Sequence, residues 1–314
     1  MRILVVGAGA IGGYFGGRLL QSGRDVTFLV RPKRASELAE NGLILKSPRG
    51  DVTLANPATV LSNTLSQNYD LVLLSCKAYD LEEAVEAFAP AVGPATLILP
   101  LLNGMSHLDI LDDRFGPAAV LGGQCVIAVT LDAERAVHHL NDAHALSFGE
   151  RGGETSDRLG QVAEALCDAG FDARQSDSIL YDMWEKWIFL ASLASINCLM
   201  RASIGEILSV PKGEDLIRTL FEECRAIAGS AGYPPRAAFL ERTFAMFTAK
   251  SSPLTASMLR DLEAGGRIEA DHIIGDLLRR RTAIGRAPGV SLLRTAYVHM
   301  KTYEARRLAR EAMA

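Results

Sequence analysis

Five residues carry most of the chemistry that can be read from this chain of 314 residues: Gly7, Gly9, Gly12, Arg31 and Lys186. The glycines stand in the spacing G-x-G-x-x-G, directly after the apolar run Met1–Val6. In that setting Gly7 permits a tight turn, Gly9 lets the backbone approach a pyrophosphate, and Gly12 lets the next helix pack closely on the strand. That helix opens around Ala10 and Ile11 with unspent N–H groups and the positive end of its dipole, a seat for a phosphate. The spacing alone is a weak signal. Strand, glycines, helix and a second strand at Asp25–Val30, in that order, read as a dinucleotide-binding unit.

Units of this kind that take NAD usually carry Asp or Glu at the end of the second strand, accepting from the ribose hydroxyls. Here that place holds Arg31, with Lys33 and Arg34 close behind. A guanidinium pairs a phosphate through two parallel hydrogen bonds, and the extra phosphate of NADP is what it would pair. A solvated basic turn is the plain alternative. The combination favours NADP, used as NADPH.

In the second half, Lys186 sits in LYDMWEKW, between Trp184 and Trp187 and ahead of an almost wholly apolar stretch. A buried lysine is costly unless paired, and one held there can give a proton to a developing alkoxide. Equally, its stem can pack while its ammonium reaches water. Glu269 by itself is an ordinary carboxylate near a helix start, and Ser257 an ordinary helical serine. Spacing gives neither a role.

The elements that must position these groups alternate strand and helix through the first half. A helix over Arg34–Asn41 ends at Gly42. Leu43–Leu54 reads as a hairpin, and Tyr69–Ser75 as a buried strand ending at Cys76 and Lys77. A short helix covers Leu81–Phe88, and Thr96–Leu102 is a further strand running into Asn103. Val120–Leu131 and Ala145–Gly149 are later strands. Ligands of open parallel sheets collect at the carboxyl ends of the strands, so Gly7–Gly12, Arg31, Lys77 and Asn103 are expected to converge. After Phe171 strand signals stop. Helices are predicted over Ile179–Met200, Glu214–Gly229, Pro235–Ala249, Thr255–Ala264, Ile268–Ile284 and Ser291–Arg310, with Arg286–Gly289 as a turn. The expectation is an α/β N-terminal Rossmann domain over 1–173, doubly wound on a mostly parallel sheet, which binds NADP. An all-α domain follows over 174–314 and carries the substrate and catalytic groups.

Composition narrows the function classes. A hydrophobic share of 48% with 22% charged residues supports a full core and excludes a disordered chain. A net charge of −4 without basic blocks argues against a nucleic-acid partner. The five cysteines are scattered and form no C-x-x-C, as in a reduced cytoplasmic protein, and Cys76 reads as a small buried residue. The N-terminus runs straight into the glycine loop and is not a signal peptide. Trp187–Met200 is broken by Ser192, Ser195 and Asn197, too short and polar for a bilayer, so no membrane association is expected. His138, His139 and His144 invite a metal reading. They fall in a turn-rich, strand-like stretch without a second ligand cluster, so surface or hairpin histidines and no metal are expected. The long helices of the second half could pair two copies as a homodimer, although a well-packed monomer uses the same residues.

Taken together, the chain resembles the ketopantoate reductase (2-dehydropantoate 2-reductase) family over essentially its whole length. The resemblance rests on GAGAIGG at 7–13, Arg31, CKAYD at 76–80, LNGM at 102–105, WEKW at 184–187, RASIGEI at 201–207 and SMLRDLEAGGRIEADHIIG at 257–275. It implies an NADPH-dependent reductase of a small 2-keto acid, 2-dehydropantoate in pantothenate biosynthesis. Lys186 then matches the general acid, and Glu269 the carboxylate that holds a substrate hydroxyl and supports the lysine. Asn103 and Ser257 match polar groups at the nicotinamide and substrate, and Lys77 a cofactor-side lysine. One departure stands out. Members of the family carry asparagines four and eight residues after the lysine; here those places hold Leu190 and Ala194. They share a helix face with Lys186, so the substrate-facing stripe has turned apolar. Asn197 lies about 16 Å along the axis from Lys186 and cannot replace them. The same machinery on a more apolar keto acid, or an NADP(H)-binding protein without catalysis, are the competing readings.

Overall fold

A computed structural model describes residues 1–281 and 290–313. Contacts divide the chain into two compact units, Met1–Leu102 with His107–Leu180, and Asn103–Ser106 with Tyr181–Ala314.

The first unit holds ten strands: β1 (Arg2–Val6), β2 (Asp25–Leu29), β3 (Leu43–Lys46), β4 (Val52–Leu54), β5 (Thr59–Val60), β6 (Leu71–Leu74), β7 (Leu97–Pro100), β8 (Gly122–Leu131), β9 (Val137–Gly149) and β10 (Asp172–Gln175). Five form a parallel sheet in the order β5-β2-β1-β6-β7. Its central strands are apolar on both faces because helices cover both. Ile3, Leu4, Val5 and all of β6 are fully buried. The helices associated with this half are α1 (Ala10–Gln21), α2 (Pro32–Asn41), α3 (Leu81–Phe88), α4 (Ser106–Phe115) and α5 (Asp157–Leu166).

The remaining strands build a second, mixed sheet in the order β10-β9-β3-β4, with β8 antiparallel to β9. Helix α1 lies between the two sheets, and its glycine pairs make that possible. A Cβ on Gly16 would come within 2.6 Å of Phe28 in the first sheet. One on Gly17 would come within 2.9 Å of Leu45 in the second. Helical glycine costs about 1 kcal/mol against alanine, and the close approach on two sides offsets it.

In the second unit the described residues form only helices: α6 (Ile179–Met200), α7 (Ile204–Leu208), α8 (Gly213–Ser230), α9 (Ala237–Phe247), α10 (Ser257–Glu263), α11 (Asp276–Arg281) and α12 (Leu292–Glu311). Asp271–Gly275 is a π-helical stretch leading into α11. Helix α6 is apolar almost all round, with Trp187, Ile188, Ala191, Ile196 and Cys198 each at most 1% exposed, as befits a central helix. Among the described residues no helix is long and apolar enough to cross a membrane.

The parallel α/β half and the helical half agree with the sequence reading. Several details differ. The turn-rich, strand-like stretch ahead of Ala145 is continuous strand, because β9 pairs with β8 along nearly its full length. His138, His139 and His144 lie on this β8–β9 hairpin, one of the two places expected; His139 and His144 are buried there, while His138 is half-buried against Asp132 at 2.8 Å. One more strand, β10, follows Phe171, paired parallel to β9. Cys167 is exposed and Cys76 half-buried, not buried as expected, and none of the five cysteines forms a disulfide. The turn at Arg286–Gly289 and the end of the helix predicted to Ile284 lie outside the described residues.

Candidate active site

The residues expected on the cofactor side stand at the carboxyl ends of neighbouring parallel strands. Gly7 follows β1 with φ +91, a left-handed conformation that only glycine adopts without strain, and its amide donates to Leu29 O on β2 at 2.9 Å. A Cβ on Gly12 would strike Gly7 O at 2.1 Å and Ser75 Oγ at 2.2 Å, so helix and turn close up only around a hydrogen atom. Beside Gly9, by contrast, the space is open to at least 4 Å. The α1 ladder begins with Gly13 N to Gly9 O at 2.8 Å, and Gly9 supplies no side-chain cap. The amides of Ala10, Ile11 and Gly12 thus have no partner within the helix. An open flank, unspent amides and a dipole end fit a pyrophosphate.

Arg31 caps the start of α2, mostly exposed, with Nη2 2.6 Å from Glu83 Oε2 and 3.6 Å from Asp80 Oδ1. The hydrogen bond to Glu83 raises its already high pKa, against a desolvation cost. Lys77 is exposed and caps the turn Ala78–Asp80, where Asp80 N donates to Lys77 O at 2.9 Å. The structure therefore brings Gly7–Gly12, Arg31 and Lys77 to the ends of β1, β2 and β6. Asn103 groups by its contacts with the second unit.

The contributions of four residues here escaped sequence reasoning. Ser75 Oγ donates to Val6 O at 3.0 Å and pins the glycine turn. Glu83 and Asp80 hold the guanidinium of Arg31. Arg34 is buried, donating from Nε to Ala8 O at 3.1 Å and from Nη2 to Arg135 O at 3.2 Å, with Nη1 on Glu37. Burial lowers its pKa. It supports the glycine loop instead of adding to a basic turn. Ser75 alone had a signal, as a small polar residue at the end of a buried strand.

In the second unit, Lys186 is half-buried on α6. Trp184 and Trp187 flank it in sequence and pack on each other, ring centres 4.8 Å apart. Arg280 lies over both rings, 5.8 and 5.5 Å from their centres. Another part of α6 holds Asp182 and Glu185, both buried, on Arg236 at 2.5 and 2.6 Å. These ion pairs anchor the helix that carries the lysine. Trp187 Nε1 donates to Ile273 O at 2.8 Å. The residue beside Lys186 is thus tied to the segment that begins at Glu269, whose own carbonyl accepts from Ile273 N at 3.0 Å. From another direction, the Asn103–Ser106 turn reaches the same segment, since Ser106 Oγ lies 2.8 Å from His272 Nδ1. Lys186, Glu269 and Asn103, 166 positions apart at the extremes, are therefore each within one residue to three of bonds that meet on 269–273. That segment is π-helical from Asp271, a geometry concentrated at functional sites.

Ser257 opens α10, exposed. The position just before it is fixed by Asn197, fully buried, whose Oδ1 accepts from Ala256 N at 2.9 Å and whose Nδ2 donates to Ala202 O at 2.7 Å. Asn197 is spent on the backbone. Along the stripe from Lys186, Leu190 is half-buried and Ala194 buried. Among the described residues no cluster of three or more His, Cys, Asp or Glu could hold a metal ion.

Residues 3–153 match the family model described as ketopantoate reductase PanE/ApbA, and residues 178–304 its C-terminal counterpart. YkpB of Bacillus subtilis strain 168, an uncharacterized oxidoreductase, is 37% identical over 97% of this chain and 99% of its own. The 2-dehydropantoate 2-reductase of Mesorhizobium japonicum is 28% identical over 87% of this chain and 89% of its own. A D-mandelate dehydrogenase solved with NADH and anilino(oxo)acetate shares the fold, with a TM-score of 0.86 over 98% of this chain and 99% of that one at 21% identity. Both halves of the chain are matched, in order and nearly end to end: it belongs to the ketopantoate reductase family of oxidoreductases.

Proposed function

We propose that the protein reduces a 2-keto acid to the 2-hydroxy acid with NADPH. The observation that carries this reading is the meeting of bonds on 269–273, which ties the neighbours of Lys186 and Asn103 to the segment bearing Glu269. A nicotinamide cofactor, when bound, would supply the hydride that C2 of the keto acid accepts. As charge develops on the carbonyl oxygen, the Lys186 ammonium donates a proton to it. Glu269 holds a substrate hydroxyl or orients the lysine, and Asn103 and Ser257 hold the polar ends of the reactants. On the other side, Gly7, Gly9, Ala10, Ile11 and Gly12 receive the pyrophosphate, Lys77 assists, and Arg31 takes the 2′-phosphate. D-mandelate dehydrogenase, of the same fold, was solved with NADH; in this chain Arg31, in the place of the usual carboxylate, is what supports NADPH.

The substrate to test first is 2-dehydropantoate, which the Mesorhizobium relative is named for. Leu190 and Ala194 support a second reading, a keto acid with an apolar side chain. A site without polar groups opposite a substrate hydroxyl loses much of its discrimination for that hydroxyl. The deciding experiment is steady-state turnover of a panel running from 2-dehydropantoate to branched and aryl 2-keto acids. Turnover of the apolar members at higher kcat/KM, with the order shifted toward 2-dehydropantoate by Leu190→Asn, supports the second reading. Binding of NADPH with turnover of none of them would leave a cofactor-binding protein without this activity.

A further inference from the structure

One side chain at the meeting of bonds is used neither by the glycine motif nor by the lysine and glutamate. His272 stands three residues after Glu269, inside the π-helical stretch that follows it. Its Nδ1 faces Ser106 Oγ at 2.8 Å. Its ring also donates to the backbone carbonyl of Asn103, and with Nδ1 taken up by Ser106 the donor is Nε2. Between these two anchors lies Gly104, at φ +82. A Cβ there would sit 3.1 Å from Cδ2 of the imidazole and 3.3 Å from Nε2. The turn and the ring are thus in close contact across Asn103, Gly104 and Ser106.

A neutral imidazole suits this place. It offers one N–H and one acceptor nitrogen, matching a carbonyl on one side and a hydroxyl hydrogen on the other. Burial pushes the His272 pKa down. The carboxylates of Glu269 and Asp276 and the Asn103 carbonyl pull it up, and the Arg279 guanidinium adds to the downward push. Protonation would make both nitrogens donors and force the Ser106 hydroxyl to turn round.

We propose that His272 is a positioning residue, a clamp that holds the Asn103–Ser106 turn on the segment bearing Glu269 and so sets where the Asn103 side chain lies. This rests on the reading that Asn103 and Glu269 serve the reduction. Losing the clamp leaves every reacting group present but displaced. A shift of about 1 Å in such a group costs on the order of 10²-fold in rate.

The test uses the full-length protein and three variants. His272→Phe keeps the ring volume and neither hydrogen bond. His272→Gln places an amide donor near the position of Nε2. Ser106→Ala removes only the partner of Nδ1. Kinetics with a turned-over keto acid are read across pH, alongside hydrogen exchange of the amides in 103–107. His272→Phe is expected to lower kcat on the order of 10-fold to 10²-fold, with little change in the KM for NADPH and faster exchange in 103–107. His272→Gln should recover most of kcat. It should also lose the fall in kcat that the wild type shows as pH drops below the ordinary histidine range. Ser106→Ala should sit between wild type and His272→Phe. Wild-type kcat in His272→Phe, or equal impairment of the Gln and Phe variants, overturns the proposal. If the wild type turns over no keto acid, the functional reading fails, and exchange alone decides the clamp: faster in His272→Phe upholds it, unchanged overturns it.

Discussion

At the residue scale, a half-buried lysine is set among groups that hold its surroundings rigid. Trp184 and Trp187 pack on each other, Arg236 pins the carboxylates of Asp182 and Glu185, and Trp187 bonds Ile273 O. Removing the ammonium should leave this frame intact. Lys186→Ala should therefore lower kcat by about 10²–10⁴-fold, the usual worth of a general acid, while NADPH binding by fluorescence titration stays near wild type. A variant that folds and turns over at near wild-type rate would move the proton donor elsewhere. Arg31 is poised differently. Its contacts with Glu83 and Asp80 are exposed, and such pairs contribute under about 1 kcal/mol. A dianionic phosphate can take the guanidinium over at small cost. Arg31→Ala should weaken NADPH by about tenfold or more, the worth of charged hydrogen bonds, and leave NADH nearly unchanged. Equal losses for both cofactors would show that Arg31 does not discriminate.

At the element scale, the second sheet bears on stability. Strand β9 carries His144 into the interior, where Nδ1 lies 2.9 Å from Tyr14 OH on α1, so the bond joins the sheet to the helix of the glycine motif. Burial lowers the His144 pKa, opposed by Asp172. The unfolded chain then takes up the proton first as pH falls. The stability contributed by neutral His144 is complete above the ordinary histidine value of about 6.5 and is lost as pH drops through the lower folded value. Thermal unfolding of the wild type should show a falling midpoint below about pH 6.5, shallower in His144→Gln. An unchanged slope in that variant would assign the acid sensitivity to other groups. The π-helical stretch belongs to this scale too. A π turn widens the spacing of successive side chains, and this one begins two residues after Glu269, where His272 and Trp187 make their bonds.

At the scale of the whole molecule, the first unit should be stabilised by whatever dinucleotide it binds. A ligand at about a hundred times its Kd adds about 2.7 kcal/mol to a fold that binds it only when native. For units of this size that is a rise of about 5–10 °C in Tm. NADPH should give that rise in scanning calorimetry and NADH a smaller one at equal concentration. No shift with either cofactor would contradict dinucleotide binding as a whole.

Some of this protein is determined by short-range pattern. The glycine spacing, the apolar strand before it and Arg31 after it lie within 31 residues, and each acts through its own backbone or charge. The helices of the second half follow from periodicity and turn residues, and Ile179–Met200 is observed as predicted. The parallel half and the helical half were legible for the same reason. Other features exist only because distant segments meet. The second sheet needs β3 to pair with β9, ninety residues away, and no local pattern names that partner. The burial of His139 and His144 on their hairpin was not legible, because burial is conferred by neighbours. Arg34 looked like part of a charged turn, yet its hydrogen bonds run to Ala8 and Arg135. Lys186, Glu269 and Asn103 could be picked out one by one through resemblance. Their tie to one segment is made by Trp187, Ser106 and His272, which carry no signal of their own: a hydrogen bond between residues far apart in sequence leaves no trace until the chain has folded.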